Sequence, residues 1–207
     1  MSAIERIKLA KAASASLAIA STIQKNEALE QIAKLLVASE KDIVSANLKD
    51  LERAKAEGLS AGLQDRLMLN QDRIEGLANS IRDIVALPDP IGELVRGMSL
   101  PNGLKLSQVR VPFGVVGAIY EARPNVTVDI SALALKSGNA VVLRGGTAAE
   151  NTNIALVKVL QQGLNFSAST SGNNSITYDK KAKDCNSNFA DQDNNGDPER
   201  KAVEDYQ

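Results

Sequence analysis

The 207-residue sequence contains no histidine. That removes the commonest general base and the commonest metal ligand together. It holds one cysteine, Cys185, so no disulfide can join the chain to itself and the fold must stand on its core. A lone thiol suits a reducing compartment, and a cytoplasmic location is expected. No window approaches the roughly 20 consecutive apolar residues that cross a bilayer. The alanine-rich start, Met1 to Ala20, is interrupted by Glu5, Arg6, Lys8 and Lys11, unlike a secretion signal. Formal net charge is −1. There is no single-sign field to draw nucleic acid or a membrane surface, and neither is expected as a partner.

The first ninety residues are helical in pattern. Ser2 and Glu5 have the spacing of a capping box. Leu29, Ile32, Leu36 and Ile43 read as one face of a helix. Gly58 sits where a helix would end in a left-handed residue. Ile74, Leu77, Ile81 and Ile84 form a further stripe, which Pro88 and Pro90 stop. Such stripes report burial.

The period changes after Ile91. Leu94 to Met98 and Leu104 to Val111 read as strands, joined through Pro101-Asn102-Gly103. Asn-Gly favours a hairpin because both residues tolerate positive φ. Leu104 and Leu106 alternate with Lys105 and Ser107, so one face should be wet. A hairpin of this kind could be a dimer arm or a domain edge, and the sequence leaves both open.

Val115, Val116, Ala118, Ile119 and Tyr120 then form a short apolar run that suits a strand buried on both faces. Val126 to Lys136 has helical spacing and ends at Gly138-Asn139. Ala140 to Leu143 makes a second buried strand, Arg144-Gly145-Gly146 turns out of it, and Ala148 to Leu164 reads as another helix. The expected fold class is therefore α/β: amino-terminal helices, a β-hairpin, then the first two βα units of a doubly wound, Rossmann-like sheet with a right-handed crossover.

Beyond Leu164 the composition turns to Asn, Ser and Asp, and no strand-length apolar run follows. Four of the six aromatic residues (Phe166, Tyr178, Phe189 and Tyr206) fall there. Residues 165–207 are expected to be a disordered tail unrelated to 1–164, and the sheet to be truncated. Asp191, Asp193, Asn195 and Asp197 alternate like a calcium loop and Gly196 falls sixth, but the twelfth residue is Ala202 rather than Glu. No metal site is expected.

A polar Arg123-Pro124-Asn125 turn stands at the carboxyl end of the first buried strand, where open α/β sheets bind ligands. Asn125 could donate to a developing oxyanion or could simply cap the next helix, and the pattern alone does not choose.

These residues also carry a family likeness. Val111-Pro112-Phe113-Gly114-Val115-Val116-Gly117, Tyr120-Glu121-Ala122-Arg123-Pro124-Asn125-Val126-Thr127-Val128-Asp129 and Leu135-Lys136-Ser137-Gly138-Asn139-Ala140-Val141-Val142-Leu143-Arg144-Gly145-Gly146 resemble the γ-glutamyl phosphate reductase (glutamate-5-semialdehyde dehydrogenase) family of the aldehyde dehydrogenase superfamily. So do Gly58-Leu59-Ser60, Asp65-Arg66-Leu67 and Leu87-Pro88-Asp89-Pro90-Ile91-Gly92. The resemblance covers about residues 1–164, read as the amino-terminal portion of the NADPH-binding domain.

The resemblance implies NADPH-dependent reduction of L-glutamate 5-phosphate to L-glutamate 5-semialdehyde plus phosphate, a step of proline biosynthesis that runs through a cysteine thioester. It gives Asn125 the oxyanion hole. It sets Arg144, Gly145 and Gly146 along the cofactor groove, where an arginine near the ribose suits the 2′-phosphate of NADPH. The plainer reading of Arg144 is a solvated charge at a strand end. Arg123 is a candidate for pairing with the substrate's carboxylate or phosphate. The nucleophilic cysteine is not matched: Cys185-Asn186 echoes a Cys-Asn pair, but its flanks do not agree. The chain is thus expected to be inactive as written, and the alternative is a shortened, non-catalytic protein that associates with a full-length reductase. The superfamily also makes the 94–111 hairpin a candidate homo-oligomer contact.

Overall fold

The computed structural model describes residues 3–166 and 175–178. Five helices come first: α1 (Ala3–Ala18), α2 (Thr22–Ala38), α3 (Glu40–Ala56), α4 (Ala61–Leu67) and α5 (Gln71–Ala86). Ser2, half of the expected first capping box, lies outside the described residues. A complete capping box stands instead before α2, where Ser21 Oγ accepts from Gln24 N and the Gln24 side chain takes Ser21 N. The stripe expected on one helix is split: Leu29, Ile32 and Leu36 lie on α2 and Ile43 on α3, with Ser39 ending one helix and opening the next. All four still enter one core. Gly58 takes the left-handed conformation, φ 75°. Leu59 N–H bonds Ala54 O at 2.9 Å and Gly58 N–H bonds Lys55 O at 3.1 Å, a Schellman end to α3. Asn70 caps α5 through Arg73 N, and the helix ends just before Leu87-Pro88.

β1 (Leu94–Ser99) and β2 (Lys105–Val109) pair antiparallel. Two details of the hairpin differ from expectation. Only Gly103 has positive φ, at 84°. Asn102 has no positive φ and uses its side-chain oxygen to accept Leu104 N–H at 3.2 Å. The hairpin also has no dry face: every residue of both strands is exposed, because neither side packs on the core.

β3 (Val115–Tyr120), α6 (Pro124–Lys136), β4 (Ala140–Gly145), a 3-10 turn (Thr147–Ala149), α7 (Glu150–Phe166) and β5 (Ile176–Tyr178) complete the described order. The sheet runs β3-β4-β5, parallel throughout. This corrects the expectation of two strands and a tail that adds none. Ile176-Thr177-Tyr178 is short, but β-branched and aromatic residues suit a strand, and beside β4 all three are buried. β3 is likewise not covered on both faces. It forms the sheet's edge among the described strands, and Ile119 is 70% exposed. β4 is the central strand and buries Ala140, Val141 and Leu143 completely.

Helices and sheet share one apolar core, in which α2 lies against both α5 and α7. The α2–α7 contact depends on Gly163, where a Cβ would fall 2.4 Å from Ile32 Cγ1. Among the described residues no helix is long and apolar enough to cross a membrane, and no three metal-ligating side chains gather.

Candidate active site at the carboxyl ends of the strands

β3 delivers the chain to Glu121-Ala122-Arg123, and α6 begins at Pro124. Proline at the first helical position has no amide hydrogen to leave unsatisfied and its φ is already helical. Arg123 occupies the cap position, extended at φ −131°, without a side-chain capping bond. The reading of Asn125 as the helix cap is therefore corrected: it lies one residue inside the helix. Its Nδ2 donates to Asp129 Oδ2, one turn on, at 3.3 Å. An amide nitrogen carries two protons, so a second donor remains. Burial pushes the Asp129 carboxyl above its usual range, partly offset by that bond. Arg123 is exposed, and its guanidinium makes no hydrogen bond or ion pair among the described residues.

Asn125 and Asp129 line an open cavity of about 410 Å³ with Arg66, Met68, Leu77 and Arg73 of the helical layer. Ligand sites commonly span about 300–1,000 Å³. Arg123, Arg144, Gly145 and Gly146 do not line it. The residues singled out from sequence thus divide into two neighbouring groups, one at each strand end.

The second group ends β4. Ile119 is in register with Arg144, and Tyr120 with Gly145. Both glycines permit close approach of chain to chain. A Cβ on Gly145 would meet Asn153 Nδ2 at 2.2 Å and Tyr120 Cε2 at 3.2 Å, and one on Gly146 would meet Glu121 Cα at 3.3 Å.

A buried polar chain lies below these ends, and sequence reasoning missed it. Thr127 donates to Asn153 Oδ1 at 2.8 Å. Its one proton is thereby used, so the 2.6 Å contact between Tyr120 and Thr127 has the tyrosine as donor. Asn153 Nδ2 in turn points to Tyr178 Oη at 3.5 Å. Burial pushes the Tyr120 phenol up to about 12 and Tyr178 upward as well, so both keep their protons at neutral pH. Also missed was Asp50 of α3, fully buried at the start of α7. It accepts from Thr152 N at 2.8 Å, Thr152 Oγ1 at 2.7 Å and Asn151 Nδ2 at 2.8 Å. Arg53 bridges it to the Thr147 and Ala148 carbonyls. The helix start that holds a pyrophosphate in many βαβ folds is here filled by a carboxylate of the protein itself. Cys185 and the calcium-like run Asp191–Ala202 lie outside the described residues.

This architecture has known counterparts. The salicylaldehyde dehydrogenase of Pseudomonas putida superposes with a TM-score of 0.65 at 18% identity, covering 91% of this chain and 35% of its own. The described residues therefore carry part of an aldehyde-dehydrogenase-type α/β fold. A closer likeness narrows the class. The γ-glutamyl phosphate reductase of Thermotoga maritima superposes with a TM-score of 0.83 at 38% identity, covering 87% of this chain and 43% of that one. A reductase of the same name from Leifsonia xyli is 58% identical over 160 residues, 77% of this chain. Over that stretch the chain is homologous to the γ-glutamyl phosphate reductases, and it spans about 38% of the length of the curated relative. No family model matches.

Proposed function

We propose that this chain forms the amino-terminal part of a cytoplasmic, NADPH-dependent reductase that converts L-glutamate 5-phosphate to L-glutamate 5-semialdehyde and phosphate, in proline biosynthesis. The 58% identity to a γ-glutamyl phosphate reductase carries the proposal. Asn125 supplies the oxyanion donor: one amide proton is held by Asp129, and the other is left for the acyl oxygen as its charge develops. Arg123, exposed at the helix start, meets the phosphate or a carboxylate through its two-pronged guanidinium.

NADPH supplies the hydride when bound. The residues present suit its adenosine end: Arg144, at the carboxyl end of the central strand, would hold the 2′-phosphate. They do not suit a pyrophosphate at the start of α7, which Asp50 fills. Gly145 and Gly146 act by letting Tyr120 and the 121–122 backbone close on that strand end. The stretch of about 1–164 that resembles the reductases holds no cysteine, and the 207-residue chain is expected not to turn over.

NADPH and NADH titrations, followed by nicotinamide fluorescence, test this with the wild type and Arg144→Ala. The expected result is a preference for NADPH that Arg144→Ala abolishes. Equal affinities in the wild type refute the assignment of Arg144. Reduction of the acyl phosphate at an enzyme-like rate refutes the inactivity of the chain.

The exposed hairpin favours a second reading, association through residues 94–111 with another copy or with a full-length reductase. Sedimentation of the chain alone and with such a reductase separates the two.

A further inference from the structure

The cavity beside Asn125 carries charges of both signs that the reading above does not use. Asp129 lies on α6, half-buried, and its one polar partner among the described residues is the Asn125 amide. It is an acid in want of a cation. Arg66, in the last turn of α4, makes no hydrogen bond or ion pair among the described residues. It is a cation in want of an anion. The other cation of the cavity, Arg73, is already engaged by the Asp65 carboxylate at 2.7 Å and the Met68 carbonyl at 2.9 Å. Met68 and Leu77 give the same cavity an apolar wall.

Asn125 and Asp129 are four residues apart on a helix, which sets their Cβ atoms about 5–6 Å apart. Their facing atoms, Nδ2 and Oδ2, are hydrogen-bonded at 3.3 Å, which leaves the second amide proton of Asn125 and the other carboxylate oxygen of Asp129 for a ligand. We infer that the cavity holds the amino-acid end of the acyl substrate, with Asp129 receiving the α-ammonium, Arg66 the α-carboxylate and Asn125 the far carbonyl oxygen. The inference rests on the reductase reading for its substrate class and adds the residues that select an α-amino acid. Asp129 and Arg66 are specificity determinants in it.

The test is calorimetric titration of the full chain with L-glutamate, with glutarate, which lacks the ammonium, and with 4-aminobutyrate, which lacks the α-carboxylate. L-Glutamate is expected to bind about tenfold or more tightly than either analogue, the effect of one charge-assisted hydrogen bond. Asp129→Asn should bring L-glutamate down to glutarate, and Arg66→Gln should bring it down to 4-aminobutyrate. Arg66 is exposed, so its variant tests the inference even if Asp129→Asn disturbs the fold. Absence of L-glutamate binding, equal binding of the analogues, or variants that keep the discrimination overturns it. NADPH titration of the same samples separates the two claims. NADPH binding without L-glutamate binding sinks this inference alone, and L-glutamate binding without NADPH binding sinks the cofactor assignment alone.

Discussion

Asp50, fully buried in α3, receives both the main-chain N–H and the hydroxyl of Thr152, at 2.8 and 2.7 Å, and so caps α7 from another helix. The bond fixes the turn that follows Arg144-Gly145-Gly146 against the helical layer. Asp50→Ala removes the cap and leaves the Thr152 N–H, the Thr152 hydroxyl and the Asn151 amide without their acceptor. A loss of about 2 kcal/mol or more in urea denaturation is expected, from the cap together with its buried partners. A loss below about 0.5 kcal/mol would mean that α7 is held by its apolar face alone.

Two helical glycines should respond oppositely to alanine. At Gly163 the added methyl meets Ile32 side chain and backbone, so Gly163→Ala should cost about 1–3 kcal/mol through overpacking. At Gly76, within α5, a Cβ meets nothing within 4 Å. Gly76→Ala should therefore stabilise the chain by about 0.5–1 kcal/mol. Since Gly76 lines the cavity, that variant should also bind L-glutamate more weakly. Thermal unfolding of the pair checks the signs.

Acid sensitivity should depend on Asp89. Burial alone would raise its pKa, but hydrogen bonds from Lys25, Thr22 and Ile91 N, with the Lys25 charge, hold it below the usual carboxylate range. Lys25 is itself almost fully buried, 2.5 Å away. A depressed folded pKa gives stability that is present above the unfolded value and lost as pH falls through the folded one. Lys25→Met should therefore be less stable than wild type near neutrality, with the gap narrowing below about pH 4. A gap independent of pH would show that packing, not the ion pair, is lost.

Asp129 should behave with the opposite sign. Its folded pKa is raised by burial, so the charged form weighs against folding and the strain is relieved as pH falls through that raised value. Asp129→Asn should be at least as stable as wild type at neutral pH, and its advantage should vanish in acid. A variant less stable at neutral pH would reveal a cation already pairing with Asp129.

Local pattern made much of this fold legible before any coordinates. Gly58 marked a left-handed helix end, Pro88 a stop, and the Arg-Pro-Asn turn the carboxyl end of β3. It failed where partners are distant in sequence. Asp50 and Thr152 are 102 residues apart, and nothing in the α3 stripe marks a buried acid as a cap for another helix. The Tyr120–Thr127–Asn153–Tyr178 chain joins two strands and two helices that only the sheet order brings together. β5 leaves no trace in the pattern because three residues make no periodic run. The apolar run of β3 reads the same at the edge of a sheet as at its centre. The cap reading of Asn125 fails because Pro124, at the first helical position, moves the cap to Arg123.

On the proposed function, the carboxyl edge of the sheet carries two adjoining sites, one for the acyl substrate at α6 and one for the cofactor at the end of β4. Hydrogen exchange of the full chain, with NADPH and with L-glutamate added separately, tests it most directly. The expected result is two footprints: protection at 140–152 with NADPH, and at 66–80 and 125–129 with L-glutamate. Protection of the same residues by both ligands, or of neither region by either, would contradict it.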